Sequence, residues 1–139
     1  MRLLIDTNVV LDVLLAREPF AADAARLLSA MDRGRIEGLL CATTVTTIFY
    51  VASKAVGARK AYEQVRELLT LCRAAPVNHD ILEKALALDF ADFEDAVLHE
   101  AARAAGADAI VTLNGKDFAR ATLPVLTARE ALGMGSGKA

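Results

Sequence analysis

Leu3-Leu4-Ile5-Asp6-Thr7-Asn8-Val9-Val10-Leu11-Asp12-Val13-Leu14-Leu15 decides the fold. Its first three residues form a short apolar run that reads as a buried strand. From Asn8 to about Arg17, Val9, Leu11, Val13, Leu14 and Leu15 make a helical pattern, which Pro19 breaks. Asp6 stands at the junction. A carboxylate at the carboxyl end of a buried strand, beside a helix start, lies where open α/β sheets bind ligands.

The same alternation continues outward. Phe20 to about Arg33 is a second helix, ended before Gly34, and Gly38-Leu39-Leu40-Cys41-Ala42 is a second strand. Thr43-Thr44 starts a helix carrying Val45, Ile48, Phe49, Val51 and Ala52, and Gly57 ends it. Ala58 to about Cys72 is a further helix with Leu68, Leu69 and Leu71 inward. Pro76-Val77 is a short extended piece. Asn78-His79-Asp80 then starts a helix whose Ile81, Leu82, Ala85 and Leu86 follow the helical period. Asp92 or Phe93 opens the next helix, which runs to about Ala105 and stops at Gly106. Ala109-Ile110-Val111-Thr112 is the clearest late strand and Pro124-Val125-Leu126 the last, and Thr127 caps Ala128 to Leu132. Strands alternating with helices predict a single α/β domain over residues 1–132: a parallel sheet with helices on both faces and right-handed crossovers. The Gly/Ser-rich residues 133–139 are expected to form a flexible tail.

A chain of 139 residues is long enough for a sizeable core. Apolar residues make up 55% of it, yet much of that is Ala, a helix former. Charges interrupt every apolar stretch before it reaches membrane-spanning length, so no membrane association is expected. Met1-Arg2 leads straight into the first strand, without a signal peptide. Cys41 and Cys72 lack metal or redox spacing, which fits two core thiols in a reduced, cytoplasmic protein. The net charge of −2 argues against nucleic-acid binding by a strong general field. Carboxylates gathered on one metal would, however, hide much of that charge and leave the remaining surface neutral to mildly basic.

Two later segments give Asp6 its weight: Asp92-Phe93-Glu94-Asp95-Ala96, and Asn114-Gly115-Lys116-Asp117-Phe118 after the late strand. Asp6, Asp95 and Asp117 come from separate strand ends and helix starts. Oxygen donors of this kind suit magnesium or manganese, completed by water and a substrate phosphate. The chemistry expected is in-line attack of activated water on a phosphodiester. Taken singly, Asp6 reads as a helix cap and Asp92–Asp95 as favourable charge at a helix N-terminus. Jointly, and in this order on an α/β pattern, the segments favour a site.

The chain resembles a known family. Leu4-Ile5-Asp6-Thr7-Asn8-Val9-Val10-Leu11-Asp12-Val13-Leu14-Leu15 looks like the opening of PIN domains, including the VapC-type toxin ribonucleases of bacteria. Asp92–Ala96 and Val111-Thr112-Leu113-Asn114-Gly115-Lys116-Asp117-Phe118 look like that family's later acidic motifs, and Pro124-Val125-Leu126-Thr127 like its ending. The resemblance implies a magnesium- or manganese-dependent endoribonuclease that cleaves RNA, commonly a homodimer and often paired with an antitoxin protein. It implies Asp6 and Asp95 as metal ligands, Asp117 as the last acidic position and Asn114 as a polar site residue. Thr7 and Asn8 would orient Asp6 or bonded water.

The resemblance departs at one position. Thr47 falls where the family carries Glu or Asp early in the helix after the second strand. Asp12, one helical turn beyond Asn8, and Asp92 are the candidates to replace that charge. The departure motivates a second reading, a non-catalytic PIN-like module that binds RNA or protein. A phosphatase or small-molecule hydrolase lacks a nucleophile motif. Lys116 is a phosphate-contact candidate beside Asp117. His99 shares a helix face with Asp95, which would allow a metal or acid–base role, but is expected to be exposed, and His79 to belong to a helix start. Lys54, Arg59, Lys60 and Arg66 are candidates to touch RNA phosphates near the site entrance, but a solvated helix face is the expectation, and nothing here resembles a base-reading motif. Phe49, Tyr50 and Val51 are candidates for core or for a dimer or antitoxin surface.

Overall fold

The computed structural model describes residues 1–136. Five strands, β1 (Arg2–Ile5), β2 (Glu37–Cys41), β3 (Cys72–Ala75), β4 (Ala109–Val111) and β5 (Val125–Leu126), form one sheet in the order β3-β2-β1-β4-β5. Every neighbouring pair is parallel. The helices are α1 (Thr7–Leu14), α2 (Ala21–Asp32), α3 (Ala42–Val56), α4 (Ala58–Leu71), α5 (His79–Leu86), α6 (Phe93–Ala104) and α7 (Ala128–Ser136). A 3-10 turn spans Gly115–Phe118. This is the parallel α/β architecture that the alternating pattern predicts.

The sheet has two buried faces because its strands alternate. Leu3, Ile5, Leu40, Ala109 and Val111 pack with α1, α2, α3, α4 and α7. Leu4, Leu39, Cys41, Ala75 and Ile110 pack with α5 and α6 on the other side. Gly38 lets α2 approach β2: a Cβ there would collide with the Met31 sulfur and crowd Cys72 Sγ. Chain order runs outward from β1 to β3, then returns to β4 on β1's other side. The carboxyl ends of β1 and β4 therefore flank the switch point, where such sheets open a crevice.

Some element boundaries differ from the pattern in the sequence. The third strand is Cys72–Ala75, not Pro76-Val77. It is an edge strand with two exposed residues, so it lacks an apolar run and follows on from α4's apolar spacing. Leu69, expected inward, is exposed, and so are Leu82 and Leu86 on the outer side of α5. Helix α7 runs to Ser136, beyond the expected end at Leu132. Thr127 and Glu130 nucleate it by a reciprocal capping box, Oγ1 accepting from Glu130 N at 3.1 Å and Oε1 from Thr127 N at 2.9 Å. Gly133 and Gly135 weaken such a helix by roughly 1 kcal/mol each without forbidding it. The rest of the expected tail lies outside the described residues.

Candidate active site

Asp6 leaves β1 and caps α1. Its Oδ1 accepts the Thr7 N–H at 2.8 Å, and its backbone N–H donates to Val111 O at 2.9 Å, fixing it between β1 and β4. Oδ2 accepts from Thr112 Oγ1 at 2.8 Å. Asn8 spans the same gap: its Nδ2 lies 3.4 Å from Thr112 Oγ1 and 3.5 Å from Asp6 Oδ2, and its Oδ1 accepts from Leu113 N at 3.3 Å. Thr112 Oγ1 also accepts the Asn114 N–H at 3.2 Å. The carboxylate is thus oriented by neutral donors only.

The other acids converge electrostatically on this point. Asp92 caps α6, with its Oδ1 accepting the Asp95 N–H at 3.2 Å, and this sets Asp95 in the first helical turn. Burial, then repulsion from Asp6, Asp92, Asp117 and Glu94, pushes the Asp95 carboxyl up to about 7. Burial and the charges of Asp117 and Asp92 raise Asp6, against the lowering effect of its Thr112 and Thr7 hydrogen bonds. Burial, Asp92 and Asp6 raise Glu94. Carboxylates so placed oppose one another's ionisation, and a cation among them would remove the penalty. Among the described residues, no three His, Cys, Asp or Glu side chains close up into a ready-made cage. An open set of oxygen donors still fits a hard ion such as magnesium, which keeps several waters and takes only one or two carboxylates. A second observation fits the same donor set: the Thr7 hydroxyl is buried and has no partner in the protein.

The candidate residues fall into two groups. Asp6, Asp95, Asp117 and Asp92 share one electrostatic neighbourhood, with Thr7 and Asn8 beside Asp6 and Asn114 at the start of the 3-10 turn that carries Asp117. Asp12 does not join them. It is buried on α1 and paired with Arg17 at 3.2 Å, and Arg17 is the charge that acts on it. Sequence reasoning did not single out Thr112 or Glu94. Thr112 resembles any strand-end threonine until β4 is placed beside β1. Glu94 reads as helix N-terminal charge, but its field also reaches Cys41 at the end of β2.

His99 is a correction. It is fully buried, not exposed. Its Nε2 accepts the Thr122 N–H at 3.1 Å, so the neutral ring carries its proton on Nδ1, which donates to Glu100 Oε2 at 2.8 Å. Phe90 links it to Phe118, the ring centroids lying 5.3 and 6.1 Å apart. His99 thus braces the segment between β4 and β5 from beneath. The signal was the apolar spacing of Ala96, Ala101 and Ala102 around it on α6.

The sequence model of the PIN domain matches residues 2–116, one residue short of Asp117. Ribonuclease VapC1 of Aquifex aeolicus is 28% identical over 137 residues, covering 93% of this chain and 92% of that protein. VapC20 of Mycobacterium tuberculosis, described as a sarcin-ricin loop cleaving toxin, superposes with a TM-score of 0.68 at 18% identity, over 85% of this chain and 94% of that one. The structure of VapBC2 from Rickettsia felis, bound to a DNA fragment from its promoter, gives 0.65 at 14% identity, over 91% and 98%. The two structural likenesses carry the fold. The sequence match extends over most of the chain, and by it this protein belongs to the PIN-domain family.

Proposed function

We propose that this chain is a magnesium- or manganese-dependent endoribonuclease, the toxin half of a toxin–antitoxin pair. The observation that carries the reading is the gathering of Asp6, Asp92, Glu94, Asp95 and Asp117 at the carboxyl ends of β1 and β4. Asp6 and Asp95 would hold the ion, and Asp117 would complete the acidic pocket. A bound divalent ion supplies an activated water and stabilises charge on the phosphate in transit. Thr112 and the Thr7 N–H keep Asp6 oriented, and Asn8 ties it to the loop after β4. Asn114 lines the same loop, and the Thr7 hydroxyl is free to hold a water. Lys116, which makes no ion pair among the described residues, is placed to meet a substrate phosphate.

A named ribonuclease relative and two VapC structures support this reading. The VapBC2 complex motivates an antitoxin partner, and the family resemblance a homodimer. Among the described residues no helix is long and apolar enough to cross a membrane, and we place the activity in the cytoplasm. RNA cleavage with magnesium or manganese should fall by about a thousandfold in Asp6→Asn and Asp95→Asn, since charge stabilisation of several kcal/mol is lost. Full activity in both variants would refute the assignment.

Thr47 favours the second reading, a binding module without catalysis. Glu94 weighs against it, because it brings a further carboxylate close to the end of β2, from which the Thr47 helix starts. Thr47→Glu should tighten manganese binding in a calorimetric titration. An unchanged affinity would mean that Thr47 does not face the ion.

A further inference from the structure

The acidic pocket would meet the scissile phosphate through its ion and Lys116, and a longer RNA needs further contacts outside it. We propose that the α3–α4 hairpin is a single-stranded RNA-binding surface, on which bases stack against Tyr50 and Tyr62 while neighbouring cations take the phosphates. This rests on the ribonuclease reading and adds to it where the substrate is gripped.

The hairpin joins the two components that such a surface needs. Tyr50 is 65% and Tyr62 60% exposed. Phe49 links them, its ring centroid lying 4.5 Å from that of Tyr62 and 5.8 Å from that of Tyr50. The result is one aromatic surface across two helices. Cations alternate with it at helical spacing: Lys54 is one turn beyond Tyr50, and Arg59 and Arg66 lie one turn to either side of Tyr62. With Lys60 they make four cations against one acid, Glu63, between residues 54 and 66, in a chain of net charge −2. Among the described residues none of the four makes an ion pair, a state shared by Arg33, Arg35, Arg73 and Lys116, whereas Arg2, Arg17, Arg26, Lys84, Arg103, Arg120 and Arg129 do. Unpaired cations with exposed aromatic faces suit single-stranded nucleic acid, whose every base has a face to stack. A second copy of the chain fits poorly, because two such basic faces repel. The position is also suitable. Helix α3 springs from the carboxyl end of β2, on the sheet edge that carries Asp6, and packs against α1.

The test is fluorescence anisotropy of a labelled single-stranded RNA on the full chain in a chelating buffer, where no cleavage occurs. Tyr50→Ala/Tyr62→Ala should weaken binding about thirtyfold or more, the scale of two lost base stacks. Arg59→Gln/Arg66→Gln should weaken it and flatten the salt dependence, by about 0.7 in logarithmic slope for each phosphate no longer neutralised. Thermal melting verifies that each variant folds, and a variant that does not is replaced by Lys54→Gln/Lys60→Gln. RNA binding unchanged in folded tyrosine and arginine variants overturns the proposal. So does loss of binding to a polyglutamate peptide with RNA binding intact, which would make the surface a protein site. A chain that binds RNA through this hairpin but never cleaves it refutes the nuclease reading alone. A chain whose variants bind normally while the parent cleaves refutes this inference alone.

Discussion

Asp6 and Asp12 are both buried carboxylates at α1, six residues apart, and their surroundings are opposite. Asp12 meets Arg17 at 3.2 Å, and no other acid acts on it. Asp6 has only neutral donors, and its charged neighbours are acids. A buried acid with a cation partner is a structural solution to burial. A buried acid left among other acids is unsolved by the protein itself, and such a place is where a ligand cation has something to gain. Sequence spacing alone offered both residues as metal ligands; the charges around them separate the two.

The contrast can be broken at either end. The largest effect after loss of the acids themselves is expected at Thr112. Thr112→Val keeps the shape but removes the donor to Asp6 Oδ2, so manganese affinity should fall by roughly 10–100-fold, as for other residues that orient metal ligands. Unchanged affinity would mean that Asp6 needs no such orientation. At the other end, Arg17→Ala should leave metal binding intact and destabilise the fold. The loss should be about 1–3 kcal/mol by urea unfolding, below the 3–5 kcal/mol of a fully buried pair because Arg17 is half-exposed. Altered manganese affinity with unaltered stability would reverse the roles assigned to the two acids.

The smallest effect concerns pH. Asp95 sits at about 7 against an ordinary 3.8, and Asp6 and Glu94 shift in the same direction. A raised folded-state pKa means that the folded chain holds more protons than the unfolded one between the two values. Metal-free stability should therefore decline as pH rises from about 4 to about 7. Melting curves should show that decline, and Asp95→Asn should flatten it. Manganese should raise the melting temperature more at neutral pH than near pH 4, where the Asp95 carboxyl is protonated. A metal-free melting temperature that climbs steadily across the window would contradict the repulsion among these groups.

The legible parts of the molecule are those set by local chemistry. The β1–Asp6–α1 unit was readable because an apolar run, a capping acid and a helical period follow one another without interruption. β4 and the caps at Asn78, Asp92 and Thr127 were readable for the same reason. β3 was not, since an edge strand of Cys, Arg and Ala carries no apolar run. Thr112 acquires its role only through pairing with a strand 106 residues earlier. His99 reads as exposed in the sequence because its partner, the Thr122 backbone, lies in a loop that no spacing rule brings to α6.

Calorimetric titration of manganese into the metal-free chain at neutral pH tests the central claim most directly. One site should bind, with affinity lost in Asp6→Asn and Asp95→Asn and retained in Asp12→Asn. No binding to the unaltered chain, or binding abolished by Asp12→Asn alone, would contradict it.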